Sequence, residues 1–128
     1  MSPTPDPTHE WPELAGSLSK ALRPLRAGAP EQMAAFGALA RAALEPNALS
    51  TKTKELIALG ISVATRCDGC IAFHAEAAVR QGASREEVLE TMGMAIYMGA
   101  GPSVMYAAQA LEAFDQFTAK AAPAPARA

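Results

Sequence analysis

Between Lys54 and Ala64 the chain reads Lys-Glu-Leu-Ile-Ala-Leu-Gly-Ile-Ser-Val-Ala, apolar nearly all the way round a helical wheel. Such a segment has almost no solvent face, so it predicts a helix at the centre of a helical core. Ser50 stands where a capping residue belongs, giving a helix from Thr51 to Thr65. No alternating strand pattern, internal repeat or glycine-rich phosphate loop appears anywhere in the chain. Half of the 128 residues are apolar, few are aromatic, and alanine dominates. Closely packed helices suit that composition better than a β-sandwich does. The expectation is an all-α fold.

The other helices follow from local signals. Trp11 to about Leu22 reads as a first helix ended near Pro24. Pro30 suits the first turn of a second, which carries Met33, Phe36, Leu39 and Leu44 on roughly one face and stops before Pro46. A fourth starts near Cys67 and ends at Gly82. Ser84-Arg85-Glu86-Glu87 is a capping box opening a fifth through Val88, Met92, Ile96 and Tyr97. Gly99-Ala100-Gly101-Pro102 is expected to break it, leaving a sixth from Pro102 to about Phe117. This predicts one domain over residues 9–118, a bundle of about six helices. A proline-rich leader (residues 1–8) and an alanine-proline tail (residues 119–128) are expected to be disordered.

A net charge of −2 with both signs interspersed leaves no electrostatic footprint for nucleic acid. No targeting segment and no stretch near the roughly 18 apolar residues of a membrane span is visible, so no membrane partner and a cytoplasmic protein are expected. In that compartment a structural disulfide is improbable, and a Cys-x-x-Cys pair points to catalysis or metal binding.

That pair lies in Arg66-Cys67-Asp68-Gly69-Cys70-Ile71-Ala72-Phe73-His74, which holds both cysteines and one of the two histidines. On a helix, Cys67, Cys70 and His74 project within an arc of about 60°. A structural zinc site needs four ligands, whereas the chain offers these three, with His9 far off in the leader. Three ligands at i, i+3 and i+7 of one helix also make a cramped tetrahedron, so no metal is expected. A thiol–disulfide couple needs only the pair. The helix start favours Cys67 as the reactive thiol. His74, one turn beyond Cys70, favours Cys70, and is placed to take its proton. The reading adopted is Cys70 as the activated thiol and Cys67 as its disulfide partner. Glu55 is open on spacing alone: a partner for Lys52, a first-turn acid, or a carboxylate that polarises His74. Met92, Met94, Met98 and Met105, near Tyr97 and Tyr106, could line a pocket for an alkyl peroxide, but Met and aromatic residues at helical spacing read more readily as packing.

Glu55, eleven intervening residues, Cys67-x-x-Cys70, three more, then His74 resembles the signature of the AhpD-like alkylhydroperoxidases within the carboxymuconolactone decarboxylase family. The resemblance covers roughly residues 30–117. It implies an AhpD-like all-α fold that assembles as trimers or hexamers and reduces hydroperoxides in antioxidant defence, with no cofactor beyond a dithiol electron donor. It further implies that Cys70 attacks the peroxide, Cys67 resolves it, and Glu55 with His74 relays the proton. The best-studied branch has a second histidine where this chain has Gly69, so part of that relay is absent here. The name-giving decarboxylases process a lactone acid without a Cys-x-x-Cys pair. Lactone processing on the same fold and a non-catalytic thiol redox sensor are the alternative readings.

Overall fold

The computed structural model describes residues 6–122. Residues 1–5 of the expected leader and 123–128 of the expected tail lie outside the described residues. The rest forms five α-helices: α1 (Trp11–Gly28), α2 (Pro30–Leu44), α3 (Thr51–Ala64), α4 (Asp68–Arg80) and α5 (Arg85–Ala121), with no strand among the described residues.

Helices α3, α4 and α5 pack on one another and make the centre; α1 lies against α4 and α5, and α2 touches α1 and α3. The Ser50 hydroxyl caps α3 by accepting from the Thr53 amide at 3.1 Å. Ser84 and Glu87 form the expected capping box on α5. Leu59 and Val63 of α3, Ile71 of α4 and Val88 of α5 are fully buried. Ala72, Ala75 and Ala78 are equally buried, and their small side chains let α4 sit close against its neighbours. The all-round apolar α3 is covered on one side only. Glu55, Leu59, Ser62 and Val63 are buried, while Ile57 and Ile61 stay about half exposed, at 46% and 57%. The Phe36 and Leu39 face of α2 is also open, and α2 buries no residue at all.

Two helix boundaries differ from the local signals. α1 continues through Pro24 to Gly28. Proline removes one N–H, but Lys20 and Pro24 both lie on the exposed side, where water can satisfy the freed carbonyl. The second difference is one of counting: five helices rather than about six, because α5 is two helical segments joined directly. The expected break at Gly99–Pro102 is present as a kink at Ala100 (φ 54°, ψ −142°), with no loop between the two segments. Gly99 leaves room for the buried Ser103 at this kink: a β-carbon there would overlap the Ser103 hydroxyl and stand 2.9 Å from its Cβ, so something would have to shift. The helix then runs to Ala121, past the expected end near Phe117.

The segment before α1 is clasped by α5. Trp11 is fully buried; its indole N–H donates to Glu112 at 2.9 Å and its amide donates to Gln116 at 2.7 Å. Gln116 in turn donates to the His9 carbonyl at 2.9 Å, and the Thr8 hydroxyl and amide both donate to Glu112. Burial pushes the Glu112 carboxyl up, but the hydrogen bonds from Thr8, Trp11 and His9 outweigh it and hold the group below its ordinary value. A lowered carboxyl stabilises the clasp above the ordinary glutamate range and stops doing so as pH falls through the lowered value. Acidification below about pH 4 is therefore expected to loosen this segment first. Trp11 is the sole tryptophan, so its emission reports the event directly. An emission unchanged until the helices themselves melt would contradict it.

Candidate active site

The junction between α3 and α4 places the cysteines. Thr65 ends α3, and Arg66 follows in the left-handed region (φ 57°), a position more usual for glycine. The Cys67 amide closes the turn on the Ser62 carbonyl at 3.1 Å. Cys67 is then the N-cap of α4, one residue outside the helix, with its sulfur accepting from the Cys70 amide at 3.2 Å. Cys67 and Cys70 are joined as a disulfide, with their α-carbons 5.2 Å apart. Both are half-buried. After reduction, the unpaired amides of the α4 first turn favour thiolate over thiol at this end of the helix.

His74 lies one turn beyond Cys70 on α4, and its Nδ1 is 2.9 Å from Oε2 of Glu55 on α3. Glu55 is 3% exposed. A buried carboxylate is costly without a partner, and the imidazole supplies one. Donation from Nδ1–H to Glu55 leaves Nε2 as the basic nitrogen. The His74 side chain remains one-third exposed, so the ring is supported on one side and reachable on the other. Lys52 is paired elsewhere, with Glu87 at 3.0 Å. The structure thus brings Glu55 to His74 and not to Lys52.

His74 also lines a recess of about 310 Å³ walled by Ala43 and Leu44 of α2 and by Lys54, Ile57 and Ile61 of α3. The methionines do not gather here. Met92 is buried in the core, and Met94 and Met98 border a separate recess of about 370 Å³ that includes neither cysteine nor His74. Met105 and Tyr97 are largely exposed, and Tyr106 packs partly against the core.

Two neighbours of the motif are absent from any reading by spacing. His9, expected far off in the leader, has Nε2 3.4 Å from Oδ2 of Asp68, the residue between Cys67 and Gly69. Its ring meets Trp11 edge-on, with centroids 4.7 Å apart. Leu18 of α1 covers Gly69, and a β-carbon on Gly69 would come within 3.1 Å of Leu18 Cδ1. A β-carbon at position 69 would therefore require the end of the Leu18 side chain to give by a few tenths of an ångström. Among the described residues no cluster of three or more His, Cys, Asp or Glu side chains is arranged to hold a metal ion, and no helix is long and apolar enough to cross a membrane.

Comparison with known proteins places these features in context. The sequence pattern of the Carboxymuconolactone decarboxylase family matches residues 30–113. A crystal structure of the apo form of a carboxymuconolactone decarboxylase family protein from Legionella pneumophila is similar at a TM-score of 0.83. It is 50% identical, over 85% of this chain and 97% of that one. An uncharacterized protein of Haemophilus influenzae is 43% identical over 106 residues, 83% of this chain and 94% of the relative. An uncharacterized protein of Cupriavidus necator is 41% identical over 90 residues, 70% of this chain and 80% of the relative.

Proposed function

The chain belongs to the carboxymuconolactone decarboxylase family, and from that premise we propose that it is a hydroperoxide reductase working through a Cys67–Cys70 dithiol/disulfide cycle. The observation that carries this reading is the Glu55–His74 pair at 2.9 Å, set one helical turn beyond Cys70 at the start of α4.

In the reduced protein, His74 takes the Cys70 proton and Glu55 stabilises the imidazolium that results. The Cys70 thiolate attacks the O–O bond, becomes a sulfenic acid, and the alkoxide leaves as alcohol with the relayed proton. Cys67 then condenses with the sulfenic acid, forming the disulfide and releasing water. A dithiol donor restores both thiols and is itself oxidised to a disulfide. The apolar recess beside His74 suits the organic part of the peroxide. This is the chemistry of antioxidant defence, and the reading places it in the cytoplasm. Open apolar side chains on α2, α3 and α5, with Phe36 65% and Tyr97 78% exposed, support assembly into a trimer or hexamer.

Counting free thiols after adding one equivalent of an alkyl hydroperoxide to the fully reduced protein tests the cycle. Two thiols should disappear together as an intramolecular disulfide, and Cys70→Ser should prevent it. Thiols that stay free for minutes would overturn the reading. Lactone-processing activity retained after both cysteines are changed to serine would replace it with the decarboxylase alternative. A single oxidation without turnover would favour a redox sensor.

A further inference from the structure

The two residues enclosed by the cysteines are both covered from the N-terminal side, Gly69 by Leu18 and Asp68 by His9. Asp68 is the first helical residue of α4 and adjoins Cys67, the N-cap. A carboxylate there opposes a neighbouring thiolate, against the help given by the helix amides. His9 is held in place by more than the contact itself. Its amide donates to Glu112 at 3.4 Å, its carbonyl accepts from Gln116, and its ring rests on the buried Trp11. The charged groups that face it are Asp68 from α4 and Glu112 from α5, while α1 presents the Trp11 ring.

We propose that His9 is a positioning residue for the Cys67–Cys70 couple, its imidazolium offsetting the Asp68 carboxylate so that the reduced, thiolate-bearing form is favoured. The N-terminal clasp is what sets it there. The inference rests on the pair cycling between disulfide and dithiol, and does not depend on a peroxide being the oxidant. In the relevant equilibrium a dithiol reagent breaks the Cys67–Cys70 bond. Two electrons and two protons leave the reagent, which closes its own disulfide. Both electrons go to the protein sulfurs; one proton stays on a thiol, and the other passes to solvent when the second sulfur remains a thiolate.

The test is equilibration of the full chain with mixtures of reduced and oxidised dithiothreitol at low salt and about pH 6. Thiol counting then gives the dithiol fraction. His9→Gln should shift the equilibrium toward the disulfide by about threefold, the scale of an exposed charge pair. His9→Lys should restore the wild-type position, which a purely structural role for the ring would not allow. Asp68→Asn should shift the equilibrium the other way, and adding His9→Gln to it should change nothing further. High salt should shrink the His9→Gln shift. An unshifted equilibrium in His9→Gln, or the same shift with Asp68 already neutralised, would overturn the proposal. Failure of His9→Lys to restore the position would overturn it as well. A wild-type disulfide that dithiothreitol cannot reduce would overturn both this proposal and the cycle beneath it. The expected shifts in a protein inert to peroxides would support this proposal and reject only the peroxide reading.

Discussion

Glu55→Gln is expected to lower kcat/KM for an alkyl hydroperoxide by about a hundredfold, the scale of a disabled proton relay. The substitution keeps the volume of a side chain that is 3% exposed, but removes the charge that, on the proposed mechanism, stabilises His74 when it holds the thiol proton. His74→Ala should cost a similar factor and move the pH profile of the reaction upward, because Cys70 must then ionise without a base. On the proposed mechanism the two residues act as one device. The double variant should therefore be scarcely slower than either single variant, as is usual for groups that work as a unit. Rapid-mixing measurements on reduced protein would decide this. Losses that multiply in the double variant would separate the roles of Glu55 and His74, and a Glu55→Gln protein at full speed would remove the relay altogether.

The second large effect concerns the fold. Trp11→Ala should destabilise the protein by about 3–5 kcal/mol, the usual range for deleting a large buried aromatic side chain. In a chain of this length that lowers the melting temperature by on the order of 10 °C or more. Trp11→Phe should cost less, because most of the packing survives while the indole N–H to Glu112 is lost. Thermal melts followed by circular dichroism would show the order wild type, Phe, Ala. An alanine variant melting within a degree or two of wild type would mean that the packing of Trp11 against α5 contributes nothing to stability.

Much of this fold is written in short-range signals. Ser50 and Ser84 with Glu87 mark helix starts through bonds made within one turn, Pro30 does so through its fixed φ and missing N–H, and the structure uses all of them. Pro24 and the Gly99–Pro102 stretch are local signals of a different kind. They state a penalty, and whether it ends a helix depends on surroundings that the stretch itself does not contain. At Pro24 exposure to water offsets the lost bond; at Ala100 the deviation is confined to one residue. The cysteine pair and His74 share one helix, so their spacing is readable. The meeting of Glu55 with His74 joins two helices across 19 positions, and spacing alone left Glu55 equally suited to Lys52. Only the family resemblance favoured the pairing that the structure has. The meeting of His9 with Asp68 had no local signal at all, since it is produced by contacts of Thr8, His9 and Trp11 with α5. Apolar patterning on α2 and α3 showed which faces avoid water, but not whether this chain would cover them.

The clasp has a consequence in time. Trp11 and Glu112 are 101 positions apart, and Trp11 and Gln116 are 105 apart. On a ribosome, residues 8–11 emerge well before residues 112–116, and must wait for the helices between before their partners exist. Contacts between neighbouring helices close short loops and form early, whereas this one closes a loop that contains the rest of the helical core. The cysteines therefore leave the tunnel, and can meet cellular thiols and oxidants, before His9 is seated beside them. The neighbourhood of the cysteine pair is thus completed late, when residues 8–11 dock onto α5.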